Sequence, residues 1–506
     1  MENPLYDTLF GQHLQSDAVF LQLPSGDTLT YANFLNMAAQ YAGLLTQMDL
    51  KKGDRVAVQI EKSPQALAVY AACAQAGLIF LPLNTAYTAD EITYFVENSG
   101  AAIVLGDEKM REGLEPIATA CQARLETLNA DGTGSFAQKA ASFPTTFNTV
   151  SCDEDDLAAF LYTSGTTGRS KGAMLSQGNL LSNAKALRAE WRFTSDDVLL
   201  HALPIFHTHG LFVATNTTLL CGGQMIFLPK FDVDQMIDAM PRATTMMGVP
   251  TFYTRLLASP RFTKALTAHI RLFISGSAPL LAETHIQFEE RTGHRILERY
   301  GMTETNMNTS NPYDAERRAG TVGFPLAGVE LKITDSQTGA TLPDGEIGEI
   351  EVRGPNVFKG YWQMPEKTAE ELRSNGFFIT GDLGQIDPDG YVSIVGRNKD
   401  LIISGGYNIY PKEIELLLDE QEGVLESAVI GVPHPDFGES VVGVLVAKDG
   451  YTLDLDIIKT SIATSLARFK QPQKLAILPE LPRNTMGKVQ KKSLRDLFAK
   501  TFLEEA

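Results

Sequence analysis

Cysteine is scarce in this 506-residue chain and tryptophan scarcer, with four of the first and two of the second. Cys73, Cys121, Cys152 and Cys221 stand far apart with no CxxC pair. That excludes a zinc ribbon and the disulfide-stapled design of small secreted domains, and it fits a reducing compartment. Basic charge is also in deficit: Lys and Arg number 43 against 61 Asp and Glu, a net charge of −18. Such a surface repels nucleic acid and anionic lipid at long range. Screening confines each charge to about 10 Å, so local basic sites for an anionic nucleotide remain open. Long apolar runs are missing too. The nearest, residues 66–83, is broken by Gln75, Gly77 and Pro82 and reads as a buried helix followed by a buried strand rather than a membrane span. The N-terminal Met1-Glu2-Asn3-Pro4 has neither the basic start nor the apolar core of a signal peptide. The expectation is a cytoplasmic protein starting at Met1, with small-molecule substrates and neither nucleic-acid nor membrane partners.

What is present is ordinary for a globular chain: 44% hydrophobic and 21% charged residues, and length for about three to four units. Residues 55–59 predict a strand, 64–75 a helix opened by Ser63, and 78–83 the next strand, a βαβ unit. Similar strands at 101–105, 198–203, 224–228 and 271–275 predict parallel, helix-covered sheets. After about Gly323 the pattern shifts to short alternating runs with turns at Pro343-Asp344-Gly345 and Asp387-Pro388-Asp389-Gly390, as in an antiparallel sheet or barrel. The expected fold is mixed α/β. Residues 1–398 form a large domain of helix-covered sheets with a β-barrel-like part, and 399–506 a small mobile α+β domain.

The most informative string is Tyr162-Thr163-Ser164-Gly165-Thr166-Thr167-Gly168-Arg169-Ser170-Lys171-Gly172. Glycines let backbone N–H groups approach an anion, hydroxyls add donors and Lys171 adds charge, as a polyphosphate requires. Lys171 is followed by glycine rather than Ser or Thr, so this is not a Walker A loop. Further strings follow in order: Ser275-Gly276-Ser277-Ala278-Pro279, Tyr300-Gly301-Met302-Thr303-Glu304, Thr380-Gly381-Asp382-Leu383, Gly396-Arg397-Asn398-Lys399-Asp400, Ser404-Gly405-Gly406-Tyr407-Asn408-Ile409 and Pro482-Arg483-Asn484-Thr485-Met486-Gly487-Lys488. Together they resemble, in content and order from Thr163 to Lys488, the adenylate-forming superfamily of acyl-CoA synthetases, firefly-type luciferases and peptide-synthetase adenylation domains.

The resemblance implies ATP, Mg²⁺ and coenzyme A as reactants or cofactors. It implies that Thr163 to Gly168 and Lys171 hold polyphosphate, that Glu304 beside Thr303 ligates Mg²⁺, and that Ser277, Ala278, Pro279, Tyr300, Gly301 and Met302 form the adenine and acyl-adenylate pocket. Asp382 and Arg397 would hold ribose and phosphate. Lys488 would be the lysine between the attacking carboxylate and the α-phosphate, and its acetylation by a lysine acetyltransferase would switch the enzyme off. Lys399 would be a hinge, and Ser404, Gly405, Gly406 and Tyr407 would line the coenzyme A tunnel after the C-terminal domain rotates.

For the acid, Phe206-His207-Thr208-His209-Gly210 places His207 at the carboxylate and thiol side. Gly248-Val249-Pro250-Thr251-Phe252-Tyr253-Thr254-Arg255 opens a helix on which Arg255 suits a second carboxylate. A metal site on His207, His209, His201 and Cys221 is the weaker reading, since no HExxH or CxxC spacing supports it. These strings, with Gly301-Met302-Thr303-Glu304-Thr305-Asn306-Met307, resemble malonyl-CoA synthetases. They imply malonate or methylmalonate as the acid, His207, Ser277, Met302 and Arg255 as its contacts, and His207, Thr303, Glu304 and Lys488 as catalytic residues. A medium- or long-chain fatty acyl-CoA synthetase, an adenylating enzyme with another acceptor and a nucleotide-binding sensor are the alternatives.

Overall fold

Ser63 accepts a hydrogen bond from the Ala66 amide and Pro64 occupies the first turn, which starts the helix Pro64–Ala76 in this computed structural model. Caps of this kind satisfy amides that the helix itself leaves open. The structure describes residues 2–163, 170–404, 407–463, 465–484 and 487–502, with Asn408 described for its backbone only. The helix is rich in alanine and buried almost all round, because small side chains let neighbouring elements close on every face. It feeds the strand Ile79–Pro82, which runs parallel to Arg55–Gln59, so the expected βαβ unit is present. Among the described residues no helix is long and apolar enough to cross a membrane.

Two sheets dominate the first part of the chain. A six-stranded sheet takes the order Arg124–Thr127, Ile103–Gly106, Arg55–Gln59, Ile79–Pro82, Leu157–Thr163 and Lys171–Ser176. All its pairs are parallel except the last. A nine-stranded sheet has a parallel centre of Gln224–Phe227, Val198–His201, Thr245–Gly248, Leu272–Ser275 and Leu297–Met302. Its edge adds Asn306–Ser310, antiparallel to Leu297–Met302. Central strands such as Leu272–Ser275 are buried along their whole length, as parallel strands covered on both faces require.

Compact units divide the chain into residues 1–330 with 352–378, and residues 331–351 with 379–506. The second unit therefore takes in residues 331–351 and 379–398 as well as everything from Lys399 onward. The expected antiparallel segment is a four-stranded sheet of Glu330–Thr334, Gly348–Arg353, Phe378–Ile386 and Val392–Arg397. Its predicted turn at Asp387 to Gly390 is closed by the Gly390 amide on the Asp387 carbonyl, 2.9 Å. The C-terminal residues add a sheet built on the long antiparallel pair Val424–His434 and Gly438–Ala447. One side of that sheet packs Ile414, Leu418, Ile458 and Ile462 into a core.

Candidate active site

In the first unit, the strands Leu157–Thr163 and Lys171–Ser176 pair antiparallel with Thr163 opposite Lys171. Ser164, Gly165, Thr166, Thr167 and Gly168 lie outside the described residues. The ammonium of Lys171 lies 3.2 Å from Glu371 Oε1 and 4.1 Å from the ring centroid of Tyr361. Glu304 occupies the turn between Leu297–Met302 and Asn306–Ser310 and is buried. The Tyr361 hydroxyl lies 2.9 Å from Glu304 Oε1 and 2.6 Å from Glu371 Oε2. Burial first, then the charges of Glu304 and Glu371, push the phenol far above its ordinary pKa, so it stays a neutral donor. Burial by itself would raise the pKa of Glu371, but Tyr361, Lys367 and Lys171 outweigh it and hold the carboxylate below its usual value. Sequence reasoning missed both Tyr361 and Glu371. The one signal was an aromatic in the Gly360-Tyr361-Trp362 string after a glycine.

The acyl end is built on the C-termini of the parallel strands, where open α/β sheets place their ligands. Leu272–Ser275 ends at Gly276, and Ser277 follows in the left-handed region at φ 72°, a strained conformation that recurs at functional sites. Ser277 Oγ lies 3.1 Å from His209 Nδ1. His209 begins the wide π-type turns His209–Thr215, a feature the sequence did not predict. They sit against the preceding loop because a Cβ on Gly210 would fall 2.0 Å from the Pro204 carbonyl oxygen. Ser277 and Ala278 are half-buried, Pro279 exposed, Tyr300 buried, and Gly301, Met302 and Thr303 half-buried. His207 is half-buried beside Phe206, ring centroids 4.7 Å apart. Phe206, Phe231, Phe252 and the half-buried Lys62 border a cavity of about 280 Å³. Lys62 Nζ lies 2.9 Å from His201 Nδ1. Among the described residues no three His, Cys, Asp or Glu side chains converge as a metal cluster.

Two arginines stand near the acyl end. Arg255 is exposed on the helix Pro250–Ala258, its guanidinium 6.0 Å from the Phe231 ring. The buried cation is Arg299 on Leu297–Met302, 4% exposed, whose Nε and Nη2 have no hydrogen-bond partner. His209 Nε2 and Ser275 Oγ are likewise buried without partners. Burial pulls the Arg299 guanidinium down to about 9, with Tyr253 opposing, which still leaves it charged at neutral pH. Burial, then Arg299 and His201, hold His209 well below its ordinary value, so this imidazole is neutral. A buried charge without a partner costs several kcal/mol, and among the described residues no carboxylate forms an ion pair with it. Arg299 was legible only as a charged residue inside an otherwise buried strand, Leu297-Glu298-Arg299-Tyr300.

The second unit carries the other expected residues. Asp382 is buried and faces Arg397 across neighbouring strands, Oδ1 to Nε 2.7 Å. Lys399 follows in a short 3-10 turn, and burial, then Arg397, lowers its pKa. Ser404 ends the strand Ile402–Ser404, while Tyr407 is exposed and stacks on Phe469 at 4.6 Å. Gly405 and Gly406 lie outside the described residues. Lys488 is exposed, its amide donating to Asn484 Oδ1 at 2.9 Å.

Two family profiles match the chain: AMP-binding enzyme over residues 11–362, and AMP-binding enzyme C-terminal domain over residues 413–488. A feruloyl-CoA synthase from Amycolatopsis is 36% identical over 477 residues, covering 94% of each chain. A malonate–CoA ligase from Arabidopsis thaliana is 35% identical over 488 residues, 88% of this chain and 78% of that one. The crystal structure of ATP-bound MatB from Rhodopseudomonas palustris is 56% identical, covers 99% of this chain and 100% of its own, and superposes with a TM-score of 0.97.

Proposed function

The chain belongs to the AMP-binding enzyme family, and from that premise we propose that it joins a short dicarboxylic acid, malonate or methylmalonate, to coenzyme A through an acyl-adenylate, consuming ATP. The observation that carries the choice of acid is the buried guanidinium of Arg299, with two nitrogens unpartnered. A pocket for a fatty or aryl acid is served by apolar walls, and a permanent charge there would oppose binding. The second carboxylate of a dicarboxylic acid would pair with it and offset its desolvation. His209 and Ser275, buried with unused polar atoms, support the same polar occupant. Arg299 thus takes the role expected of Arg255.

Attack of a carboxylate on the α-phosphate gathers negative charge, and catalysis consists largely of opposing it. Lys171 and the strings on either side of it supply charge and donors for the leaving pyrophosphate. Glu304 fits a hard cation, as a buried carboxylate on a tight turn whose neighbour is a neutral hydroxyl; Mg²⁺ held there would be completed by phosphate oxygens and would supply Lewis-acid neutralisation. Asp382 would accept the ribose hydroxyls, with Arg397 holding that carboxylate in place at 2.7 Å. Lys488 would act in adenylate formation only, and Lys399 with residues 404–407 in delivery of the thiol. Acetylation of Lys488 would abolish its charge and with it the first half-reaction.

Pyrophosphate release with malonate, methylmalonate, ferulate and dodecanoate, each with and without coenzyme A, tests the proposal. Malonate and methylmalonate should lead with a thioester as product; a faster rate with ferulate or dodecanoate would overturn the dicarboxylate reading.

A further inference from the structure

His201 ends the strand Val198–His201 and is buried, yet no step of the proposed reaction uses it. Its main chain is fixed from both sides, paired with Phe227 and with Met247 in the centre of the nine-stranded sheet. Both ring nitrogens are engaged. Nε2 lies 2.8 Å from the Gly210 carbonyl oxygen, and Nδ1 lies 2.9 Å from Lys62 Nζ. Lys62 comes from the other sheet, in the link between the strand Arg55–Gln59 and the helix Pro64–Ala76. Its amine also donates to the His201 carbonyl at 2.9 Å and sits 4.3 Å from the centroid of the Phe227 ring.

These contacts fix where the imidazole proton lies. Burial, followed by the Lys62 charge, holds His201 well below its ordinary pKa, so the ring is neutral at neutral pH and has one N–H. A carbonyl oxygen only accepts, so that N–H is on Nε2, facing Gly210. Nδ1 is then a bare acceptor, and the Lys62 amine has protons enough to donate to it and to the His201 carbonyl together. Gly210 belongs to the wide turns His209–Thr215, a form that is rare and concentrates at functional sites. Its carbonyl takes a second side-chain donor, the Thr215 hydroxyl, at 2.8 Å. That bond is internal to the turns, whereas the His201 bond ties them to the sheet. One residue back, His209 Nδ1 meets Ser277 Oγ at 3.1 Å.

We propose that Lys62 and His201 are positioning residues for the acid: Lys62 holds His201 in the tautomer protonated on Nε2, and that N–H pins the Gly210 carbonyl and sets where His209 meets Ser277. The inference rests on the placement of His209 and Ser277 at the acyl end made above. Which ring nitrogen of a histidine carries the proton is set by the bond the other one makes. Without Lys62 the Nε2 tautomer leaves Nδ1 with no donor, at a cost, and the opposite tautomer gains a share. That form turns a lone pair on Nε2 towards the Gly210 oxygen, which repels it. The Thr215 hydroxyl, 3.4 Å from Nε2, then turns its one proton to the ring, and Gly210 loses both side-chain donors at once.

The test combines ¹⁵N NMR of the histidine rings with pyrophosphate-release assays on the full chain. In the unaltered protein His201 should show its proton on Nε2. Lys62→Met, which keeps the length and removes the donors, should move a share of it to Nδ1. It should raise KM for malonate about 10-fold, the scale of a small misplacement, and change KM for ATP less than about 2-fold. Lys62→Arg, which keeps donors, should hold the Nε2 form. His201→Gln carries an amide nitrogen close to the place of Nε2 and has no tautomer to select, so on that background Lys62→Met should cost less than about 2-fold. His201→Asn, whose amide stops at the place of Nδ1, should reproduce the Lys62→Met loss by itself, which tests the inference even if the lysine variants fold poorly. An unmoved His201 proton in Lys62→Met, or the same malonate loss with and without His201→Gln, would overturn the inference. The tautomer is read without substrate, so that result does not depend on which acid binds. Ser277→Ala and His209→Asn separate the inference from the assignment beneath: if both leave KM for malonate unchanged, the placement of the acid fails and the inference with it; if both raise it while His201→Asn does not, only the positioning roles fail.

Discussion

A Cβ on Gly276 would lie 2.3 Å from the guanidinium carbon of Arg299, so glycine at 276 is what lets a buried cation pass directly beneath the strand end. Gly276→Ala should therefore displace Arg299 and act much like Arg299→Leu. Both should cut kcat/KM for malonate about 10²-fold or more while sparing a monocarboxylate of similar length, because a site built for a charged group discriminates strongly once its partner is gone. Arg299→Leu removes a charge without a protein partner, so its Tm should hold or rise. Thermal unfolding and paired pyrophosphate-release assays check both statements; equal losses for the two acids would remove Arg299 from the acyl site.

Arg255→Leu provides the contrast. As an exposed side chain its loss should alter stability by less than about 0.5 kcal/mol and change the malonate to monoacid ratio by less than about 3-fold, a factor worth about 0.6 kcal/mol. A malonate-specific collapse in the same assay would return the second carboxylate to Arg255.

Acid should destabilise the protein through His201 and His209. Burial leads the causes in both, with Lys62 adding for His201 and Arg299 then His201 for His209; all lower the folded pKa well below the ordinary 6.5. The unfolded state then binds protons that the folded state refuses. Stability is present above about pH 6.5 and falls below it by about 1.4 kcal/mol per pH unit for each histidine. Lys62, lowered well below 10.5 by burial, adds a slope of the same sign at higher pH. Urea midpoints from pH 7 to 5 should show a shallower decline for His209→Asn; an unchanged slope would mean that His209 is protonated in the fold.

Lys488→Ala and Lys399→Pro should affect opposite half-reactions. The first removes the charge proposed to act while the adenylate forms and should cost about 10² to 10³ in that step, leaving thioester formation from preformed malonyl-adenylate near its unaltered rate. The second fixes φ at the expected hinge and should slow thioester formation while adenylation continues. Single-turnover measurements of each step decide the matter, and parallel losses would exclude both roles.

Much of the fold was legible because it is locally encoded. Ser63-Pro64 starts a helix and Gly77 ends it wherever the chain sits, and Asp387 to Gly390 closes its own turn. The string proposed to hold phosphate was legible for the same reason, since its glycines, hydroxyls and lysine lie within a few residues of one another. The sequence by itself thus determined the α/β alternation, the family and the positions of Lys171, Glu304, Asp382 and Lys488 in their strings. Tertiary structure alone decided which arginine is buried and what holds Lys171. Arg299 lies under Gly276 and is coupled to Tyr253 and His209, and Lys171 is held by Glu371 from 200 positions away. Burial is a property of everything packed around a side chain, and an ion pair of whatever else the fold brings near, so neither is written in the few residues beside it.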